Sequence, residues 1–147
     1  MRVIKATCVA GVVALLLGVH CAFASGERAA VVTWDLLAKV SFTKQRDRYV
    51  PEFSKEIAAL EKRDVRLQGF MMPLDTGAMQ RRFLLSALPS ECGFCMPAGA
   101  EQIVEVQAKQ GVKYVLDPVT VSGKFTLVRD DAGGLLYRLT EAVAIQK

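Results

Sequence analysis

Two cysteines separated by two residues, Cys92 and Cys95, are the most reactive groups in this chain, and Met96 and Pro97 follow them directly. Three chemistries suit such a pair. As soft ligands the thiolates suit Cu(I), with Met96, Met71 and Met72 as neighbouring soft donors. A closed Zn(II) site is harder to assemble, because it needs four ligands and the same loop adds only carboxylates such as Glu91 or Glu101. Thiol–disulfide exchange works best with the first sulfur at a helix N-terminus, where the dipole favours thiolate. Here Pro97 and Gly99 lead instead into an alternating, strand-like run. The leading reading is a structural disulfide that shapes the loop from Pro89 to Pro97. Closing so short a loop stabilises by less than the roughly 3 kcal/mol expected for a 15-residue one.

Compartment bears on that choice. Arg2 and Lys5, the apolar run from Ala6 to Val19 and Ala22-Phe23-Ala24 read as a secretory signal cleaved after Ala24. Its removal takes away Cys8, Cys21 and His20, the single histidine. Cys92 and Cys95 then stand alone in an exported, periplasmic or secreted chain, where a pair is free to close on itself. Without histidine, neither a Cys-His nor a Ser-His-acid arrangement can form, and no GxxxxGK phosphate loop is present. The inventory therefore points away from an enzyme and names no catalytic residue.

Charge narrows the partners. The net charge of +4 falls to about +2 once Arg2 and Lys5 are removed, too little and too evenly spread for a nucleic-acid or membrane-surface protein. No membrane span is expected after signal removal, and the partner is an unspecified periplasmic protein or small ligand. Arg81-Arg82 reads as a solvated pair, since adjacent strand residues face opposite ways. Asp130-Asp131, followed by glycines, reads as a turn.

The elements that must hold the cysteine loop follow from periodicity. AVVTWDLLAKV gives a short helix capped by Thr33, a clamp over one end of the core. SFTKQRDRYV reads as a solvated connector. PEFSKEIAALEKR spaces Phe53, Ile57 and Leu60 for an amphipathic helix of about three turns. From Asp64 the period becomes twofold, and five strands follow: VRLQGF, RRFLLSAL, the run through Val104 and Val106, VTVSGKFTLV and LLYRLTEAVAIQ. Gly69 and Gly123 mark bends or bulges within strands. The expected organisation is a signal at 1–24, a helical segment at 25–63, and at 64–147 a small five-stranded, all-antiparallel OB-like barrel. The class is mainly β with N-terminal helices.

TWDLL at Thr33 to Leu37, VRLQGFMMPL at Val65 to Leu74, FLLSALPSECGFCMP at Phe83 to Pro97 and EQIVEV at Glu101 to Val106 together resemble the DUF3299 family of exported bacterial proteins. The resemblance implies an OB-like barrel and a periplasmic location, with no established activity. Many members of that family place a histidine two positions after the first cysteine, then several prolines and Asn-Gln. Here position 94 is Phe, Cys95 follows, Pro97 alone remains of the prolines, and Glu101-Gln102 stands where Asn-Gln would be. A second sulfur thus replaces the nitrogen that the resemblance would supply.

Overall fold

The computed structural model describes residues 28–89 and 99–145. The expected signal segment, Cys92, Cys95 and Met96 lie outside them.

Strand β4 (Asp64–Pro73) alternates as the sequence reading expects, with Val65, Leu67 and Met71 turned into the core and Arg66 and Gln68 turned out. It is followed by β5 (Met79–Ser86), a single 3-10 turn at Ala100–Gln102, β6 (Ile103–Lys113), β7 (Val119–Leu127) and β8 (Tyr137–Ile145). The sheet runs β4-β5-β6-β8-β7, and β7 pairs back onto β4, which closes a five-stranded barrel. A closed barrel leaves no long edge to recruit other strands. Its strands are not all antiparallel: β6 and β8 run parallel, with Glu105 opposite Arg138 and Val106 opposite Leu139. The long β7–β8 hairpin brings β8 back along β6, so sequence order alone does not reveal this direction.

Curvature is concentrated at bulges. Between Ser122↔Val143 and Lys124↔Thr140, Gly123 on β7 faces two residues on β8. The extra residue there is Glu141, at φ 51°. A bulge of this kind sharpens the local twist, and a side chain on Gly123 would place its Cβ 2.9 Å from the Thr140 carbonyl oxygen. Gly69 is equally constrained: its Cβ would fall 2.5 Å from the Ser86 carbonyl oxygen and 3.0 Å from the Trp34 ring. Both glycines anticipated as bends therefore sit where chains approach most closely.

The segment before the barrel differs more from its sequence reading. Strand β1 (Ala30–Val31) adds in parallel to β4. Helix α1 (Trp34–Leu37) begins at Thr33, whose hydroxyl accepts from the Leu36 N–H. The expected connector is instead a hairpin, β2 (Ser41–Gln45) with β3 (Arg48–Glu52), turning at Arg46 with φ 54°. Its first strand is exposed throughout, so it carries no buried stripe that a period could reveal. Helix α2 (Lys55–Ala58) is a single turn rather than three. Pro51 belongs to β3, Ser54 and Ala59 cap the helix, and beyond it the Lys62 N–H bonds the Phe125 carbonyl at 2.7 Å.

Small as they are, the two helices seat Leu37 and Ile57 in the core with no exposure. The Trp34 indole N–H donates to the Gln68 carbonyl at 2.8 Å, and the Tyr137 hydroxyl donates to the Leu37 carbonyl at 2.7 Å. Burial pushes the Tyr137 phenol well above its usual range, and nearby Glu101 adds to the shift. That hydroxyl therefore remains a neutral donor. The clamp expected around Trp34 is real, and Tyr137 fixes its far side.

Candidate functional site

On β5, β6 and β8, residues alternate between the barrel interior and its outer face, so register decides which outer residues meet. Leu84 lies opposite Glu105, Arg82 opposite Gln107, and Glu105 opposite Arg138 across the parallel pair. Three neighbouring strands thus bring Arg82, Glu105 and Arg138 together. Glu105 is 1% exposed although its side chain belongs to the outer face. One carboxylate oxygen accepts from Arg82 Nε and, more distantly at 3.4 Å, from Gln107 Nε2. The other accepts from Arg138 Nε at 2.6 Å.

Burial alone would raise the Glu105 pKa, but hydrogen bonds from Arg138 and Arg82 outweigh it, and the carboxyl lies below its usual range. The group is therefore a fixed anion between two cations. Only the Nε groups are used in these contacts, so the terminal amino groups of Arg82 and Arg138 have no protein partner among the described residues. The Arg82 side chain is 63% exposed and that of Arg138 29%.

The three side chains line an open cleft of about 250 Å³, with Leu74, Leu84, Ala100, Ile103 and Leu135 as its apolar walls. Both rims are braced from within. Buried Gln80 donates to the Asp75 and Gly77 carbonyls at 3.0 and 2.7 Å and accepts from the Asp75 N–H, shaping the β4–β5 turn. In the β7–β8 loop, Asp131 accepts from the Gly133 and Leu135 N–H groups at 2.8 and 3.1 Å, and Gly134 takes φ 76°. Asp131 is therefore the turn residue its glycine context announced, and it also lines the cleft.

The described residues on either side of the cysteine segment lie beside this cleft. Ser86 is buried and exchanges two hydrogen bonds with the Leu88 backbone, at 2.9 and 3.2 Å. The Ala87 N–H bonds the Gln102 carbonyl at 3.1 Å, while the Gln102 N–H bonds the Gly99 carbonyl at 3.0 Å. Both ends of the segment therefore meet next to Ala100 and Ile103, which line the cleft. Of the candidate sulfur ligands, Cys92, Cys95 and Met96 lie outside the described residues. Met71 packs in the barrel core and Met72 is half-buried on β4. Among the described residues no three His, Cys, Asp or Glu side chains gather as a metal site, and no helix is long and apolar enough to cross a membrane.

A model of the family described as proteins of unknown function, DUF3299, matches residues 27–144. The chain belongs to the DUF3299 family. The crystal structure of a DUF3299 family protein from Pseudomonas aeruginosa PAO1 shares the fold, with a TM-score of 0.58 at 20% identity, covering 81% of this chain and 97% of that one. No curated protein matches it. The resemblance carried by TWDLL, VRLQGFMMPL and the cysteine-containing run is thus established at the level of family and fold.

In this DUF3299 chain the cleft is where the described residues bring charged and apolar side chains together. Of its polar members, Arg82 and Asp131 were weighed from the sequence, in a solvated pair and in a turn, whereas Glu105 and Arg138 were not marked as site residues. Arg82 reads there as one of a solvated pair and Glu105 as an outward strand residue, whereas the structure joins them. Register across three strands makes the site, and no motif encodes it.

Proposed function

We propose that this DUF3299 protein is an exported binding protein, not an enzyme, and that it takes its ligand in the cleft on the outer face of β5, β6 and β8. The observation that carries this reading is Glu105, a buried carboxylate held ionised on an outer face by two arginines that keep hydrogen-bonding capacity to spare. Such a group contributes little net stability compared with an apolar replacement, so recognition is the better account of it. By analogy with the fold, OB barrels bind on the face of their second and third strands, between the first and last hairpin loops. Those strands are β5 and β6 here, and the loops are 74–78 and 128–136.

On this reading the signal peptide delivers the chain to the periplasm, where Cys92 and Cys95 form a structural disulfide in the segment whose flanking residues lie beside the cleft. Titrating thiols on unfolded periplasmic protein should find both cysteines blocked until a reductant is added. Stoichiometric Cu(I) or Zn(II) in the reduced mature protein, lost with Cys92→Ser and Cys95→Ser, would favour metal binding instead. The binding role itself is tested by placing a photocrosslinking amino acid at Leu84, with the exposed Val143 as control, in a chain whose two cysteines are serine. An adduct from position 84 and none from 143 supports it. Capture that disappears whenever the thiols are absent overturns it.

A further inference from the structure

Building on that binding role, we infer that the ligand is a small monoanionic carboxylate carrying a short apolar body. The inference combines three properties of the cleft. First, the head-group site is fixed before any ligand arrives. Glu105 takes the Nε–H of both arginines, which restrains the two guanidinium planes while their terminal amino groups have no partner among the described residues. A carboxylate accepts parallel hydrogen bonds from such a fork, a geometry that a lysine ammonium cannot reproduce.

Second, the charges are balanced. Arg82 and Arg138 face Glu105 and Asp131 in one cleft, so the formal charges of the described lining residues cancel. A dianion such as a phosphate monoester finds no surplus of positive charge, whereas a single carboxylate needs only the free guanidinium edges. Asp131 already spends one oxygen on two backbone N–H groups, which disperses part of its charge.

Third, the remaining wall is aliphatic. Leu74, Leu84, Ile103 and Leu135 offer apolar surface beside the arginines, and the volume of about 250 Å³ suits a small body. Leu74 is 48% exposed, so a ligand resting on it removes apolar surface that folding leaves wet. The rims braced by Gln80 and Asp131 limit how far the cleft can open for something larger.

The test uses the mature protein, isotopically labelled, and two probes that differ only in charge: N-acetyl-L-leucine and N-acetyl-L-leucinamide. Nuclear magnetic resonance titration should show the acid shifting the signals of Leu84, Glu105 and Leu135, with the amide at least roughly tenfold weaker, the scale of a charge-assisted hydrogen bond. Arg82→Gln should weaken the acid by a similar factor and leave the amide unchanged. Should that variant unfold, Arg82→Lys keeps a charge for Glu105 but lacks the fork, and a loss of the acid's advantage is expected there too. If acid and amide bind the cleft equally, the inferred ligand class falls while the binding role stands. If the acid shifts none of these signals, the inference falls as well, and crosslinking from position 84 decides separately whether the face binds anything.

Discussion

Val104, Glu105 and Val106 are consecutive residues of one strand, each at most 1% exposed, yet they are buried for different reasons. The valines enter the barrel with Phe83, Leu85 and Leu139 and lose water to carbon on every side. Glu105 turns the other way and loses water to two guanidinium groups. Equal burial thus conceals opposite energetics, because the inner layer gains by dehydration while the outer carboxylate pays for it and recovers the cost through its partners. The fold depends on the first set. The cleft depends on the second.

Substitutions on neighbouring residues of β5 should separate the two layers. Phe83→Ala opens a cavity inside the barrel and should cost about 4 kcal/mol in urea unfolding, with any loss of binding following from loss of fold. Changing Arg82→Met together with Arg138→Met attacks the outer layer by leaving Glu105 buried and unpaired, at a cost of about 3 kcal/mol near neutral pH. The two layers differ further in their response to acid. In the native protein the Glu105 pKa is lowered, so its contribution is present above the ordinary carboxylate value of about 4.3 and is lost as pH falls through the folded value. In the double variant only the long Gln107 hydrogen bond still opposes burial, the larger effect, so that pKa rises and mild acid should relieve the penalty. Unfolding curves across pH 4 to 8 should therefore slope in opposite senses for the two proteins, and parallel slopes would show that Glu105 is not the buried anion described above.

How legible each layer was in the sequence follows from the same contrast. Alternation in VRLQGF and VTVSGKFTLV is a local signal, because each inward residue needs only an apolar interior, and the barrel strands could be read from it. Gly123 was legible as a bulge, whereas at Gly69 the strand pairing is regular and the glycine answers to the close approach of Ser86 and Trp34. The β2–β3 hairpin was not legible, since a two-stranded ribbon exposed along its first strand imposes no period. Nor were the second and third helical turns excluded, because the helix stops at its Ala59 cap and Lys62, beyond it, bonds Phe125 far along the chain. The parallel β6–β8 pairing and the Arg82–Glu105–Arg138 cluster are set by register between strands, which single-strand patterns do not contain. The cysteine pair was the most visible chemical signal, and Cys92 and Cys95 lie outside the described residues.

A smaller effect is expected where the layers are tied to the N-terminal clamp. Tyr137→Phe keeps the ring between Phe125 and Phe53 but removes the hydrogen bond to the Leu37 carbonyl. A cost of about 1 kcal/mol follows. Hydrogen exchange should show faster opening confined to the residues around α1, with the barrel strands unaffected. Loss of protection across β4 to β8 would mean that the clamp and the barrel open as one unit.

The smallest expected change in stability is the most informative. Arg82→Met, Glu105→Leu and Arg138→Met together replace the whole cluster with side chains that need no partners. Because the desolvation of Glu105, and in part of Arg138, disappears along with the cluster's mutual attraction, stability should stay within about 1 kcal/mol of the native protein or rise. Its acid dependence should weaken too, since Glu105, one of the carboxyls that titrate lower in the folded chain, is gone while Glu56 and Glu61 remain. If the cluster serves recognition, this variant will fold as well as the native chain and lose its preference for N-acetyl-leucine over the amide. If it serves the fold, the variant will unfold at markedly lower urea. The two outcomes cannot coincide, because the first requires an intact barrel under an altered face and the second requires the barrel to fail.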